Sequence, residues 1–229
     1  MKSPVKTPSQ SRPRGRPSAW AGDGSGGREQ ILDAAARVFA REGYRGATID
    51  AILGEAGFSK GAFYWHFRSK DDLISALLAE RVERPIRELI ERLRSAPAEA
   101  NLSTEANRRF VEFLDRERAA VLLEHEYEGL AARNPSLRRR YVRQRRALRQ
   151  ALGEALAERA RQLGATEFTT PAEEVATAYL ALVRGLSRER LLDPPAVPDH
   201  MLGEISGLIY IGLLARTYGG NWQRYAVID

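Results

Sequence analysis

From about Arg28 onward, apolar residues recur along this chain at spacings of three and four, the period of a helix with one buried face. Ile31, Leu32, Ala35, Val38 and Phe39 set the first stripe, over about 28–42, and Gly43 reads as its stop signal. Between Thr48 and Phe67 two short helical pieces flank Ala56-Gly57-Phe58-Ser59. Gly57 can take a positive φ without a Cβ penalty. Ser59 can cap the helix after it and Thr48 the helix before, with Asp50 adding negative charge to that first turn. Two short helices joined by a tight glycine-containing corner are the helix-turn-helix pattern. Its expected core is Ile31, Ala35, Phe39, Ile49, Ile52, Leu53, Phe58, Phe63 and Phe67.

A fourth helix is expected from Ser69 to about Arg94, opened by a capping box of Ser69 and Asp72 and kinked at Pro85. After a break at 96–101 the pattern stays helical, with no strand alternation. Helices are expected over about 103–116 and 117–133, and a long one runs from Asn134-Pro135 to about Leu163. On that helix Leu137, Tyr141, Leu148 and Leu152 share a face, while arginines 138, 139, 145, 146 and 149 fall mostly opposite, as a solvated face would. Thr170-Pro171-Ala172-Glu173 starts the next helix, to about Leu192. A proline-rich stop precedes a last helix over about 199–218, where Gly203, Gly207 and Gly212 let another helix approach closely. The chain reads as all-α.

The helix Lys60–Phe67 carries the candidate chemistry. Phe63 and Phe67 share its inner face with Ala62 and His66 at the flank, and Lys60, Gly61, Tyr64 and Trp65 fall on the other side. That set suits a DNA groove: lysine for phosphate or a guanine edge, aromatics for sugar, phosphate and thymine methyl, glycine for close approach. Wheel geometry alone is equally compatible with Tyr64 and Trp65 in the core of a small bundle.

Composition narrows the partners. The chain has 229 residues, 43% hydrophobic and 29% charged, and no cysteine, which excludes disulfides and thiol catalysis. No apolar run reaches membrane-spanning length and no signal peptide is recognisable, so a cytoplasmic protein is expected. The net charge is +6, and residues 1–27 hold five basic residues against one acid. This Pro-, Ser- and Gly-rich segment reads as a disordered arm. Its RPRGRP, 12–17, resembles an AT-hook, in which Arg14 and Arg16 would enter a narrow A·T-rich minor groove. A solubilising tail, or one that touches phosphates without sequence preference, remains the alternative. The three histidines are scattered, and no nucleophile motif, phosphate loop, metal-ligand spacing or paired acid set is present, so neither an enzyme nor a cofactor is expected. His125 lies between Glu124 and Glu126, but sequence neighbours point to different sides of a helix, so no metal is expected there.

The strings ILDAAARVFAREGYRGATID, GFSKGAFYWHF and SKDDLI, in that order, resemble the DNA-binding domain of the tetracycline-repressor (TetR) family of bacterial regulators. The resemblance covers Arg28 to about Ile74. It implies a three-helix DNA-binding domain over 28–74 followed by a helical ligand-binding and dimerisation domain over 75–229. It also implies a homodimer that represses from a palindromic operator and is released from it by a small-molecule effector. By the resemblance Thr48, Ser59, Tyr64, His66 and Lys70 position phosphates, and Lys60, Gly61 and Trp65 are candidates for base readout. Candidate effector contacts, chosen as polar and aromatic residues on helix faces that should point inward, are Phe110, Phe113, Glu124, His125, Tyr127, Tyr179 and Arg184, with a satisfied core or interface role the favoured alternative for each. Pairing of the last two helices with those of a second copy would use Gly203, Gly207 and Ile211, residues that ordinary packing within one chain would use equally. An architectural binder of A·T-rich DNA, acting through the basic arm, is the alternative.

Overall fold

The structure, a computed structural model, describes residues 25–97, 100–164 and 170–218. Helices account for almost all of them. The three-helix unit expected to meet DNA consists of α1 (Ser25–Gly46), α2 (Ile49–Ala56) and α3 (Lys60–His66). It is followed by α4 (Lys70–Leu78), a π-helical turn (Ala79–Glu83) and α5 (Arg84–Ser95). The larger remainder comprises α6 (Ser103–Arg133), α7 (Pro135–Gln162), α8 (Ala172–Leu192) and α9 (Met201–Tyr218).

The caps expected of the first three corners are formed. Thr48 Oγ1 accepts from Ala51 N at 3.0 Å, Ser59 Oγ from Ala62 N at 3.4 Å and Ser69 Oγ from Asp72 N at 3.1 Å. Gly57 closes α2 at φ 73°, where a side chain would be strained. Gly43 breaks the ladder of α1 at φ 67°, ψ 173°, and a short helical stretch continues to Gly46. The helix starts at Ser25, so the last three residues of the expected arm belong to it; the rest of the arm, with Arg14 and Arg16, lies outside the described residues.

Further along, the structure departs from the expected boundaries in ways that local chemistry explains. The disturbance expected at Pro85 falls one turn earlier, at Ala79–Glu83. A proline ring crowds the carbonyl four residues back, here Arg81, and supplies no N–H for it; a wider π turn absorbs both demands. The two helices expected over 103–116 and 117–133 follow one another as α6 without a loop, and the ladder breaks at the expected boundary, Glu117, with φ −109°, ψ 20°. At α8 Pro171 itself occupies the capping position, so Thr170 makes no side-chain cap. Arg145 was expected on a solvated face of α7. It is buried instead, paired with buried Glu124, and its Nε donates to Tyr141 Oη at 3.0 Å. Burial lowers its pKa to about 10, so it stays charged at neutral pH.

The main core is not confined to the three-helix unit. Ile31, Leu32, Val38, Ile52, Phe63, Phe67, Leu73 and Leu77 join Leu123, Tyr127, Ala131 and Leu137 in one buried cluster. The three-helix unit therefore shares its core with α6 and α7. Glu126 of α6 ties the joint by accepting from the Tyr44 backbone N–H at 2.9 Å, and at the same corner Lys70 Nζ ties α4 to the end of α1 by donating to the Tyr44 and Ala47 carbonyls at 2.7 and 2.8 Å. Among the described residues no helix is long and apolar enough to cross a membrane.

Candidate nucleic-acid interface and ligand cavity

The chemistry of α3 follows from which of its faces is taken. Phe63 and Phe67 are buried against α1 and α2, and Ala62 beside them is 1% exposed. That anchorage leaves Tyr64 59% and Trp65 76% exposed, with Lys60 and Gly61 exposed next to them. Two large aromatics held in water by a fully anchored helix form a preorganised contact face. Tyr64 is also oriented: its ring meets Phe63 edge-on, centroids 5.3 Å apart at 89°. Gly61 has only Ser59 Oγ near a notional Cβ, at 3.7 Å, so the surface there is open to a close-approaching backbone.

The other expected DNA contacts are placed less uniformly. Thr48 and Ser59 are exposed; each hydroxyl oxygen accepts the capping bond, which leaves its O–H free to donate outward. Lys60 pairs with Asp50 at 2.9 Å in full exposure, a contact that solvent screens and DNA can displace. His66 is half-buried; its Nε2 lies 3.5 Å from where a Cβ on Gly27 would sit, so α1 begins beside the end of the reading helix. Lys70 differs from its expected role. Its ammonium is turned inward onto two carbonyls and over the Tyr44 ring, 4.6 Å from the centroid, which spends most of its donor capacity on the joint. The cause is the C-terminal end of α1, whose carbonyls lack helical partners and attract the nearest cation.

A cavity of about 290 Å³ lies in the larger part of the chain. Ile86, Leu89, Ile90 and Leu93 of α5 form one wall; Leu152, Leu156, Leu180 and Val183 of α7 and α8 form another. The start of α6 and the inner side of α9 close it with Asn101, Ser103, Gly203, Ser206 and Gly207.

Of the seven side chains expected to meet an effector, Tyr179 lines this cavity, and its hydroxyl donates to the Ser206 carbonyl at 2.6 Å. The other six are used elsewhere. Phe110 belongs to a separate cluster with Leu114, Val121, Val197 and Leu202, and Phe113 packs between that cluster and the main core. Tyr127 is fully buried in the main core, edge-on to Tyr44. Glu124 is held by Arg145, Arg184 lies 3.8 Å from Glu128, and His125 is half-buried between. Inward-facing aromatics and charges identified buried positions, which is not the same as cavity walls.

The glycines of α9 need the opposite correction. Gly203 is buried, and a Cβ on it would come within 2.3 Å of the Ser103 carbonyl oxygen; its N–H donates to Asn107. Gly203, Gly207 and Ile211 all line the cavity, so they serve packing within the chain rather than an outer surface. The outward side of α9 is one position round, at Ile205, Leu208 and Gly212, and α8 exposes Ala178, Ala181 and Gly185 beside Leu192. The small-residue spacing was a correct signal for close helix approach. It could not say which helix approaches.

Comparison with known proteins bears on both sites. Residues 31–77 match the model of bacterial regulatory proteins of the tetR family. A 54-residue stretch, 24% of this chain and 25% of the relative, is 46% identical to the HTH-type transcriptional regulator SrpR of Pseudomonas putida. The matched stretch spans only a quarter to two-fifths of the first curated relatives' own length. Structural likeness extends much further. A solved protein of Pseudomonas aeruginosa PAO1 aligns over 90% of this chain and 96% of its own, with TM-score 0.69 and 26% identity. The multidrug binding protein EbrR, solved with ethidium, aligns over 80% of this chain and 97% of its own, with TM-score 0.57 and 29% identity.

Proposed function

This chain belongs to the tetR family of bacterial regulatory proteins, and from that premise we propose that it is a transcriptional repressor that binds a palindromic operator as a homodimer and is released by a small molecule. The observation that carries the DNA-binding part is the outward face of α3. Lys60, Gly61, Tyr64 and Trp65 stand in solvent on a helix whose other side is locked by Phe63 and Phe67. In the proposed complex Lys60, Gly61 and Trp65 read base edges, while Thr48, Ser59, Tyr64 and His66 hold phosphates. Arg14 and Arg16 would reach the adjacent minor groove from a segment joined to α1 beside His66.

Pairing is assigned to the outward sides of α8 and α9, where Leu192, Ile205 and Leu208 are exposed. The effector is assigned to the cavity because α5 forms one wall of it. Through the π turn, α5 is continuous with α4, and Lys70 at the start of α4 grips the end of α1. A molecule that favours one position of α5 would thereby reposition α3. Such coupling needs a preference of about 1–3 kcal/mol between the two conformations. EbrR's complex with ethidium supports small-molecule binding in a protein of this shape. The comparisons do not favour the architectural alternative.

The test is selection of duplexes bound by the full chain from a random pool. Enrichment of one inverted repeat is expected, with half-sites about one helical turn or more apart. A pool that stays random, or enriches only A·T content, overturns the reading.

A further inference from the structure

The cavity's walls also specify the charge of what fills them. Among the described lining residues none is aspartate or glutamate, and Arg159 is the only cation. Arg159 is itself buried, and its guanidinium donates to the Pro97 and Ala100 carbonyls at 3.1 and 2.6 Å. Two of its bonds thus go to backbone carbonyls at the edge of an apolar space. The neutral polar groups gather where α6 begins against α9: Ser103 beside Gly203 and Gly207, and the Tyr179 hydroxyl on Ser206. The α5 wall opposite is aliphatic.

Taking the cavity as the effector site, as proposed above, we infer that its ligand is an uncharged, largely apolar molecule with its hydrogen-bonding groups at one end, and that permanent cations are refused. A cation entering this space would lose its hydration and, among the described lining residues, meet no carboxylate but the like charge of Arg159. An anion gains some attraction from Arg159. It must still give up its own water for a guanidinium already occupied by carbonyls. An uncharged molecule pays neither cost and matches the aliphatic wall, where each buried methylene contributes about 0.8 kcal/mol. The inferred preference excludes a cation such as the ethidium that EbrR was solved with, so the shared shape does not imply a shared ligand.

The test uses three fluorescent probes on the full chain without DNA: N-phenyl-1-naphthylamine, which is uncharged; its 8-sulfonate, the same ring system with a negative charge; and ethidium. The uncharged probe should saturate at one site per chain, about tenfold or more tighter than the sulfonate, with no saturable ethidium binding. Gly207→Leu, which puts a side chain into the cavity, should abolish the uncharged signal; Ser206→Leu serves if that variant does not fold. Leu89→Glu should create ethidium binding that Leu89→Gln does not. Tighter binding of either charged probe to the unaltered chain overturns the charge assignment and leaves the cavity as the effector site. An uncharged probe that does not saturate, or that binds both filled variants undiminished, removes the cavity reading and the inference with it. Neither outcome touches the DNA-binding reading.

Discussion

Tyr64 and Lys70 show how one residue's surroundings decide its work. Tyr64 rests edge-on against buried Phe63, yet more than half of it faces solvent. Tyr64→Ala should weaken operator binding by about 1–3 kcal/mol while the thermal midpoint and the association state stay unchanged; a collapse of the midpoint would mean the ring supports the fold. Lys70 has the opposite character. Its ammonium satisfies the carbonyls of Tyr44 and Ala47 at the end of α1. Lys70→Met should cost about 1–3 kcal/mol of folding stability in chemical denaturation. A lysine that only touched phosphate would instead flatten the salt dependence of binding and leave stability alone. The sequence put both residues in the DNA-contact set because motif position is shared. Whether a side chain turns out or in depends on which carbonyls lie within its reach.

At the scale of elements, the joint between α1 and α6 is constrained both in backbone angle and in space. Gly43 combines φ 67° with ψ 173°, a region essentially open to glycine alone, and a Cβ there would lie 3.3 Å from both carboxylate oxygens of Glu126. Gly43→Ala should therefore cost about 1–3 kcal/mol and disturb the Glu126–Tyr44 contact, read as faster amide exchange at Tyr44. Reading Gly43 as a stop signal was legible in the chain. The second reason for glycine, the approach of a carboxylate 83 positions later, was not. The α6 helix also carries a titrating group. Burial holds the His125 pKa below its ordinary 6.5, opposed by Glu128 and assisted by Arg188 and Arg184. The folded chain thus binds that proton less readily than the unfolded chain. Its contribution to stability is complete above the unfolded pKa and is lost as pH falls through the lower folded one. His125→Gln should remove that part of the acid dependence in unfolding measured across about pH 5 to 7.5; an unchanged profile would sink the assignment.

At the scale of the whole molecule, the surfaces left unused decide the assembly. Leu208 is 60% exposed near the centre of the outward side of α9, with Ile205 beside it. The α8 face adjoining them offers small side chains at Ala178, Ala181 and Gly185. Leu208→Glu should weaken dimerisation by about 2 kcal/mol or more, seen as monomer in sedimentation, with helix content retained. Operator affinity should fall with it, because two reading heads joined in one particle bind far better than one. A monomeric unaltered chain would contradict the pairing surface directly.

The chain's linear pattern by itself determined the helices, the caps and corners of the first three turns, and which residues of α3 share a face; that Tyr64 and Trp65 stand in solvent was settled by packing. The features set by linear pattern depend on residues within a few positions of one another: a period of 3.6, a hydroxyl three residues before an N–H, a glycine at a left-handed corner. Tertiary structure alone decided that Arg145 is buried with Glu124, that Lys70 faces inward, that Gly203 and Gly207 lie against the start of α6, and that the cavity is walled by α5 leucines and isoleucines. A helical stripe shows which side of a helix is covered, whereas its partner is fixed by crossing geometry among segments a hundred residues apart.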